Sequence, residues 1–465
     1  MKRYSIVELQ VGLDSAKWTA VDLVDYYLER IAKYDNKLKS IGEINPEVWE
    51  FAQLSDLIRA KQGKRSMLEG IPIVVKDNIN TADKMHTTAG SLALSDLYAP
   101  YDAHVIKKLR DAGAIILGKA NLSEFAYFMS DYKMPSGYSS RSGQVKSPYN
   151  EKIDPLGSST GSAVAVAADL IPLSLGTETN GSLMAPSQQN SIVSIKPTFG
   201  LVSRYGVIPI SHRQDTVGPM AKTVEECALL LDVIAGVDKH DLTTKLSPRS
   251  NYQFYESLKM PTRGMKIGIL RYDNVSYDDE ENKILDAAKE KLSEQGFNVI
   301  DIITTYKRIN NYQTLIYEYK VALNHYLSTI RGYTKMKNLS DIIAFNKQDP
   351  HVRMAYGQTI LEAANKTSGT LTETNYLNAQ KQVLAGANEA NKLLDKHQLD
   401  AILSPRRNSW APIAGNPCIC VPAKPLTDLT PRSVIFIGRK WEDEKLLAIS
   451  YQYQEATKYR VSPKL

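Results

Sequence analysis

The chain has 465 residues, of which 43% are hydrophobic, and a formal net charge of +6, so it can bury a large core and is only mildly basic. No stretch of 18 consecutive apolar residues occurs, and lysine and arginine are spread along the chain. We therefore expect no membrane-spanning helix and no nucleic-acid partner. Contact with a membrane surface stays open.

Cysteine and histidine usage argues against disulfides and metals. The three cysteines, Cys227, Cys418 and Cys420, give no disulfide framework or zinc spacing, and the seven histidines are scattered. The sequence therefore predicts no metal and no other cofactor. The start of the chain is basic but continues with Glu8 rather than an apolar segment, so no signal peptide is expected. Both features are typical of a reducing cytoplasm.

In chain order, the N-terminal third predicts helices around a buried strand. Apolar residues at helical spacing, caps and breakers predict helices over residues 5–13, 19–34, 45–62, 104–112 and 121–128. Strands are predicted over residues 71–75 and 114–117, and a loop over 129–154. These helices are expected to cover a sheet.

The remaining two thirds continue the alternation. Strands are predicted at 173–175, 192–195, 265–270, 298–303, 401–404, 418–421 and 434–437, with helices at 223–234, 280–295 and 442–459. The polar, tyrosine-rich residues 311–393 predict a mainly helical insertion lying across the sheet. Alternating strands and helices predict an α/β fold with a mixed central sheet.

Two serine clusters in glycine-punctuated turns form the most informative stretch. They read GSSTGS at residues 157–162 and GTETNGS at residues 176–182, separated by a run of small and apolar residues. Glycines let the backbone approach a ligand and present N–H groups, as a serine nucleophile with an oxyanion hole requires. The alternative for such a stretch taken alone is an ordinary loop.

A lysine upstream of these clusters favours catalysis. The apolar, β-branched run at residues 71–75 reads as a buried strand and is followed directly by Lys76. Because burying an ammonium group is costly, a buried lysine tends to lose its proton and can then act as a base. Two serines and such a lysine form an alternative to a Ser-His-Asp triad.

These segments resemble the amidase signature hydrolases, most closely over residues 69–236. The matching segments are GIPIVVKDNI, GAIILGKANLSEF, PLGSSTGSAVAVAA, GTETNGS, KPTFGLVSRYGVIPIS, DTVGPMAKTVEECALLLDVIAG and VIFIGRKWEDEKLLAISYQYQEATK. The resemblance implies the amidase signature fold: one α/β domain over residues 1–465, with a mixed, twisted central sheet of many strands covered by helices on both faces. Residues 69–236 would form its core, and about 245–400 a more variable, largely helical region.

The resemblance also implies roles for individual residues. Ser182 would be the nucleophile, Ser158 the bridging serine that relays its proton, and Lys76 the base; the two serines stand 24 positions apart, as in the family. The peptide bond between Gly157 and Ser158 would be cis. The oxyanion hole would be formed by the backbone N–H groups of Thr179, Asn180, Gly181 and Ser182.

Departures from the family pattern bear on the substrate. Most relatives have glycine in place of Asn180, and asparagine tolerates a left-handed backbone. Many have Ile-Arg after the nucleophile, where this chain has Leu183-Met184, so a substrate carboxylate would lose its partner. This favours a neutral or apolar acyl group over small acidic substrates. By resemblance, Met129 and Ser130 would contact substrate; core packing is the alternative.

The leading interpretation is therefore an amidase that hydrolyses an acyl, aryl or peptide amide to acid and amine or ammonia through a Ser182 acyl-enzyme. One alternative is a glutaminase-type amidotransferase subunit, which the absent arginine disfavours. Another is a non-catalytic binding protein on the same fold. The expected partner is a small-molecule amide, and the chain is expected to be a monomer or a homodimer.

Overall fold

A computed structural model describes residues 4–131, 133–275, 279–307, 309–424 and 430–465. Eleven of its strands form one mixed sheet, and two short ones form a separate hairpin. The strands are β1 (Ile41–Ile44), β2 (Pro72–Lys76), β3 (Ile115–Ala120), β4 (Tyr138–Ser139), β5 (Gly143–Gln144), β6 (Leu173–Glu178), β7 (Val193–Lys196), β8 (Thr216–Ala221), β9 (Lys266–Tyr272), β10 (Asn298–Thr304), β11 (Ala401–Ser404), β12 (Cys418–Pro422) and β13 (Ser433–Ile437).

Helices surround this sheet. They are α1 (Ile6–Asp14), α2 (Ala20–Leu38), α3 (Val48–Gln62), α4 (His104–Asp111), α5 (Thr160–Ala167), α6 (Met184–Gln189), α7 (Val224–Ile234), α8 (Phe254–Ser257), α9 (Asp279–Glu294), α10 (Tyr312–Thr329), α11 (Leu339–Lys347), α12 (Pro350–Arg353), α13 (Thr359–Asn365), α14 (Thr374–Ala387), α15 (Glu389–Lys396), α16 (Trp410–Ala414) and α17 (Asp443–Thr457). None of the described helices combines the length and apolar character needed to cross a membrane.

The strand order is β1-β3-β2-β6-β8-β7-β12-β13-β11-β9-β10. The pairs β2–β3, β2–β6, β9–β10 and β9–β11 are parallel, and the others are antiparallel. Successive residues of β2 enter different clusters: Ile73 and Val75 pack on one face and Val74 on the other. Covered faces on both sides explain why the first four residues of β2 read as a continuous apolar run. The predicted α/β class with a mixed sheet covered on both faces is confirmed.

The expected insertion at residues 311–393 is helical but does not lie mainly across the sheet. Its helices α10, α11 and α13 build a third hydrophobic cluster with Phe125, Phe128 and Met129, and no member of that cluster belongs to a described strand. Only α15 reaches the sheet core, through Leu393 and Leu394. Helix α5 already covers a face of the sheet: all its residues are buried, and several pack with residues of the strands.

The predicted helix over residues 121–128 is wrong. Only a short 3-10 turn, Glu124–Tyr127, forms there, and Phe125, Ala126 and Tyr127 have positive φ. The backbone N–H of Phe125 donates to the carbonyl of Ala89, 2.9 Å away, and that of Ser123 donates to the carbonyl of Ser158, 3.1 Å away. Partners outside the segment thus replace the helical hydrogen bonds. Strands β1 and β8 and the β4–β5 hairpin are absent from the sequence prediction.

Candidate active site

Lys76 is the last residue of β2, and its side chain is completely buried. Its ammonium Nζ donates to Ser158 Oγ and Thr177 Oγ1, each 2.8 Å away, and to the Thr177 carbonyl at 3.2 Å. Burial lowers the pKa of Lys76 to about 7, although the nearby carboxylates of Asp215 and Glu178 act in the opposite direction. A neutral amine is therefore accessible at physiological pH.

Ser158 lies two residues before α5 and is fully buried. The Gly157–Ser158 peptide bond is cis, as predicted. The next residue, Ser159, holds the segment against β6: its hydroxyl donates to the Thr177 carbonyl at 3.0 Å and accepts from the Thr177 N–H at 3.2 Å. The Ser159 hydroxyl thus contacts the strand backbone, and the Ser158 hydroxyl contacts the lysine.

Ser182 follows the loop after β6 and is half-buried at the wall of a cavity. Its carbonyl accepts a hydrogen bond from the Ser159 N–H at 3.2 Å, so the two predicted serine segments meet. Within the described residues the hydrogen-bond chain from Lys76 ends at Ser158, and the Ser182 hydroxyl makes no hydrogen bond. Catalytic hydrogen bonds of this kind often form only once substrate is bound.

The loop before Ser182 presents open backbone donors. Among the described residues, no hydrogen bond uses the N–H of Asn180, Gly181 or Ser182, whereas those of Leu183 and Met184 both donate to the Glu178 carboxylate. Gly181 has a φ of +93°, but Asn180 is not among the residues with positive φ. From the sequence, a left-handed backbone was possible at Asn180. In the structure Gly181 takes that conformation instead.

A polar network not foreseen from the sequence fixes this loop. The Thr179 hydroxyl donates to the buried Asp215 carboxylate, and the Gln214 side chain donates to the Thr179 carbonyl at 3.1 Å. Asn311 accepts from the Asn180 amide and donates to Gln214, both at 3.2 Å. The loop is thus tied to the segment entering α10. These contacts span residues far apart in sequence, so no local pattern signals them.

Ser182 opens into a cavity of about 360 Å³. The lining combines two kinds of residue: the mainly apolar Ala126, Tyr127, Phe128, Leu156, Ala185, Ile210 and Leu315, and the remaining Ser136, Asp154, Gly157, Thr179, Asn180, Ser182 and Arg407. A second groove of about 570 Å³ shares Asn180 and Arg407 with this cavity. The two spaces adjoin at these residues.

The predicted substrate contacts Met129 and Ser130 lie outside the lining of this cavity. Both are buried: Met129 packs in the third hydrophobic cluster, and Ser130 Oγ is 3.2 Å from Thr359 Oγ1. The residues just before them, Tyr127 and Phe128, form the wall instead. The left-handed backbone of Phe125, Ala126 and Tyr127 directs the chain there, and the helical spacing of the sequence gave no indication of it.

Two further residues of the site escaped sequence reasoning. Thr177 accepts hydrogen bonds at its hydroxyl from both Lys76 and Asn78, at 2.8 and 3.1 Å. Arg407 comes from a loop after β11, more than 200 residues from the serines. The signal for Thr177 was its place in GTETNGS, whereas Arg407 had none. In the described part of the chain, no group of three or more His, Cys, Asp or Glu residues is placed to hold a metal.

Comparison with known proteins assigns the family. The family model described as Amidase matches residues 22–412. A probable amidase of Arabidopsis thaliana is 36% identical over 99% of this chain and 91% of its own. Native peptide amidase from Stenotrophomonas maltophilia superposes with a TM-score of 0.94 at 36% identity, covering 100% of this chain and 99% of that one. A glutamyl-tRNA(Gln) amidotransferase subunit from Acinetobacter baumannii is 32% identical over 98% of this chain and 96% of its own.

The chain belongs to the amidase family, and its fold is the amidase signature fold. It is a hydrolase that acts on amide C–N bonds. The family and the leading function expected from the sequence are confirmed, and the amidotransferase alternative is not better supported.

Proposed function

We propose that Ser182 is the nucleophile of this amidase, Ser158 the proton relay and Lys76 the base. The observation that carries the proposal is the buried contact of 2.8 Å between Lys76 Nζ and Ser158 Oγ, with the pKa of Lys76 lowered to about 7 by burial. A neutral lysine next to a serine hydroxyl can take its proton. The cavity at Ser182 provides room for the amide.

In the first half of the reaction, Ser182 Oγ attacks the amide carbonyl carbon. Its proton passes to Ser158 Oγ, whose own proton moves to the neutral amine of Lys76. The carbonyl oxygen becomes an oxyanion, which the open N–H groups of Asn180, Gly181 and Ser182, together with that of Thr179, stabilise. One such donor is worth about 10²–10³ in rate.

Collapse of the tetrahedral intermediate breaks the C–N bond. The proton held by Lys76 returns through Ser158 to the leaving nitrogen, which departs as amine or ammonia. Water then attacks the Ser182 ester, gives a proton to the same relay and releases the carboxylic acid. The proton returns to Ser182 Oγ, so the residues end in their starting state.

The cavity supports a carboxylic amide with an apolar acyl part as substrate. Phe128, Ile210 and Leu315 give part of the cavity lining apolar character. Leu183 and Met184, which stand where many relatives have Ile-Arg, are both buried. A peptide amide is the class that a structural relative, named a peptide amidase, suggests. Met129 and Ser130, being buried behind the wall, would act on substrate only through their neighbours.

The remaining expectations concern the state of the protein. The proposed enzyme works as a single domain, as a monomer or homodimer, in the cytoplasm, and without a nucleic-acid partner. In support of a reducing compartment, Cys227, Cys418 and Cys420 are all buried and unpaired. The strand order supports one domain, since β12 and β13, from the end of the chain, lie between β7 and β11 in the sheet.

The test is covalent labelling with a fluorophosphonate, read by intact mass and combined with amide hydrolysis assays. We expect one adduct on the wild type, no adduct on Ser182→Ala, and slow labelling of Lys76→Ala and Ser158→Ala. The matched controls are Lys119→Met and Ser187→Ala, the latter at a buried serine of α6 whose hydroxyl has no hydrogen-bond partner among the described residues. An adduct that persists in Ser182→Ala, or full hydrolysis by that variant, would contradict the proposal.

A further inference from the structure

Arg407 is an exposed cation at the edge of the Ser182 cavity. Its side chain lies against the nucleophile loop, because a methyl group placed on Gly181 would come 2.7 Å from Arg407 Nη1. It lines both the Ser182 cavity and the adjoining groove. In the described parts of the chain, Arg407 takes part in no hydrogen bond and no ion pair, although five N–H donors are available on a guanidinium group.

The charged residues nearby already have other partners. Arg406 forms an ion pair with Glu281. Asp154, the other charged residue of the cavity, accepts from the Leu156 N–H at 2.8 Å and from the Ser136 hydroxyl at 3.2 Å. No ion pair joins Asp154 to Arg407, since no guanidinium nitrogen lies within 4.0 Å of the carboxylate. The guanidinium is therefore open to an anionic group brought by a ligand.

We propose that Arg407 is a specificity-determining residue that binds a carboxylate on the acyl part of the substrate. The inference rests on the proposed role of Ser182. Gly181 directly precedes the nucleophile, so a guanidinium in contact with it reaches groups only a few bonds from the scissile carbonyl. A carboxylate matches the guanidinium with two parallel hydrogen bonds.

This inference changes the substrate class expected from the sequence. Many relatives have arginine at the position of Met184, so in this chain the segment after the nucleophile provides no cation. Arg407 supplies one from the loop between β11 and α16. The substrate is then an amide whose acyl part is apolar where it meets Phe128 and Leu315 and anionic where it meets Arg407.

The test compares two substrates whose side chains are similar in length: the α-amide of N-acetyl-glutamic acid and N-acetyl-methionine amide. We expect the wild type to prefer the glutamate amide in kcat/KM, and Arg407→Ala to reduce that preference about tenfold or more. Arg407→Lys should retain part of it, because it keeps the charge but loses the planar fork. With N-acetyl-lysine amide added as a third substrate, Arg407→Glu should shift the preference toward this amide. In the control Arg406→Ala, the ratio should stay within about twofold of the wild type.

Three results would overturn the inference: a wild type without preference for the glutamate amide, a preference that survives in Arg407→Ala, or an equal loss of both substrates in that variant. The last would assign Arg407 a structural role in the Gly181 loop. The proposed function is tested separately, by hydrolysis of the methionine amide. The wild type should hydrolyse this amide, and Ser182→Ala should not. If that activity were absent or Ser182-independent, the proposed function would fail instead.

Discussion

At the residue scale, partners rather than burial distinguish Lys76 from two other buried lysines. Lys119 on β3 and Lys196 on β7 are also almost completely buried, and burial lowers the pKa of both, that of Lys119 to about 8. Lys119 donates to the Ile79 carbonyl and the Thr87 hydroxyl, and Lys196 donates to a backbone carbonyl. Only Lys76, of these three, contacts a serine hydroxyl.

The pH dependence of hydrolysis follows from this environment. Only neutral Lys76 can accept the proton, and its pKa lies near 7, so kcat/KM for a neutral amide should rise with pH and level off above about pH 8. Below about pH 6 it should fall close to tenfold per pH unit, because the neutral fraction does so. The measurement is kcat/KM for N-acetyl-methionine amide from pH 5 to 9.

Lys119→Met is the control for this profile. Its side chain contacts no residue of the proposed triad, so the inflection near pH 7 should remain in the variant. A wild-type profile without an acid limb would contradict the role of Lys76. Loss of the acid limb in Lys119→Met would identify Lys119, rather than Lys76, as the base that titrates.

How far the sequence could identify these residues depends on their signals. The catalytic candidates Lys76, Ser158 and Ser182 sit in local motifs, so they could be named before the structure. The contact between Lys76 and Ser158 spans 82 positions and rests on how β2 meets the segment before α5. Arg407 and Asn311 carry no motif, since an isolated polar residue in a loop gives no indication of what the fold brings near it.

At the element scale, the short loop between β6 and α6 sets the geometry of the donors. Glu178 closes it on one side by accepting from Leu183 and Met184, and Gly181 gives it a left-handed turn. Its sequence predicted the turn, because glycine before serine is typical of such loops. The segment at 121–128 shows the opposite: its apolar spacing is helical, yet tertiary hydrogen bonds determine its backbone.

Gly181→Ala should disable the site with only a moderate loss of stability. A non-glycine residue in the left-handed region costs about 1–2 kcal/mol, and the new methyl group would come 2.7 Å from Arg407 Nη1, so the arginine side chain must shift. If the loop relaxes, its N–H groups turn away, and kcat/KM should fall by about 100-fold or more. The measurements are kcat/KM and the free energy of unfolding in urea.

Gly143→Ala separates the two effects. Gly143 has a φ of +75° but no atom within 4 Å of the added methyl group, and it lies in the β4–β5 hairpin. It should lose a similar 1–2 kcal/mol of stability through its backbone conformation. Its kcat/KM should stay within about twofold of the wild type. Equal losses of activity in both variants would show that strain alone, not donor placement, explains Gly181→Ala.

At the scale of the whole molecule, the sheet joins distant parts of the chain. The edge strand β10 and its parallel neighbour β9 are connected by α9, as expected from the strand, helix and strand predicted over residues 265–303. The sequence did not predict that β8 would lie between β6 and β7, or that β12 would pair with β7. Strand order depends on long-range pairing, for which the chain carries no local pattern.

This topology predicts one cooperative unfolding transition that includes the active site. Phe436 of β13 is fully buried and lies opposite Leu403 on β11 and Ile419 on β12, so Phe436→Ala should cost about 3–5 kcal/mol. The midpoint of urea unfolding should fall equally when followed by far-UV circular dichroism and by loss of fluorophosphonate labelling. Ile303→Ala, at a side chain 74% exposed on the edge strand β10, should change stability by less than about 0.5 kcal/mol. If labelling were lost well before the circular dichroism signal, the active-site region would be a separate folding unit, because unfolding of a single unit moves both signals together.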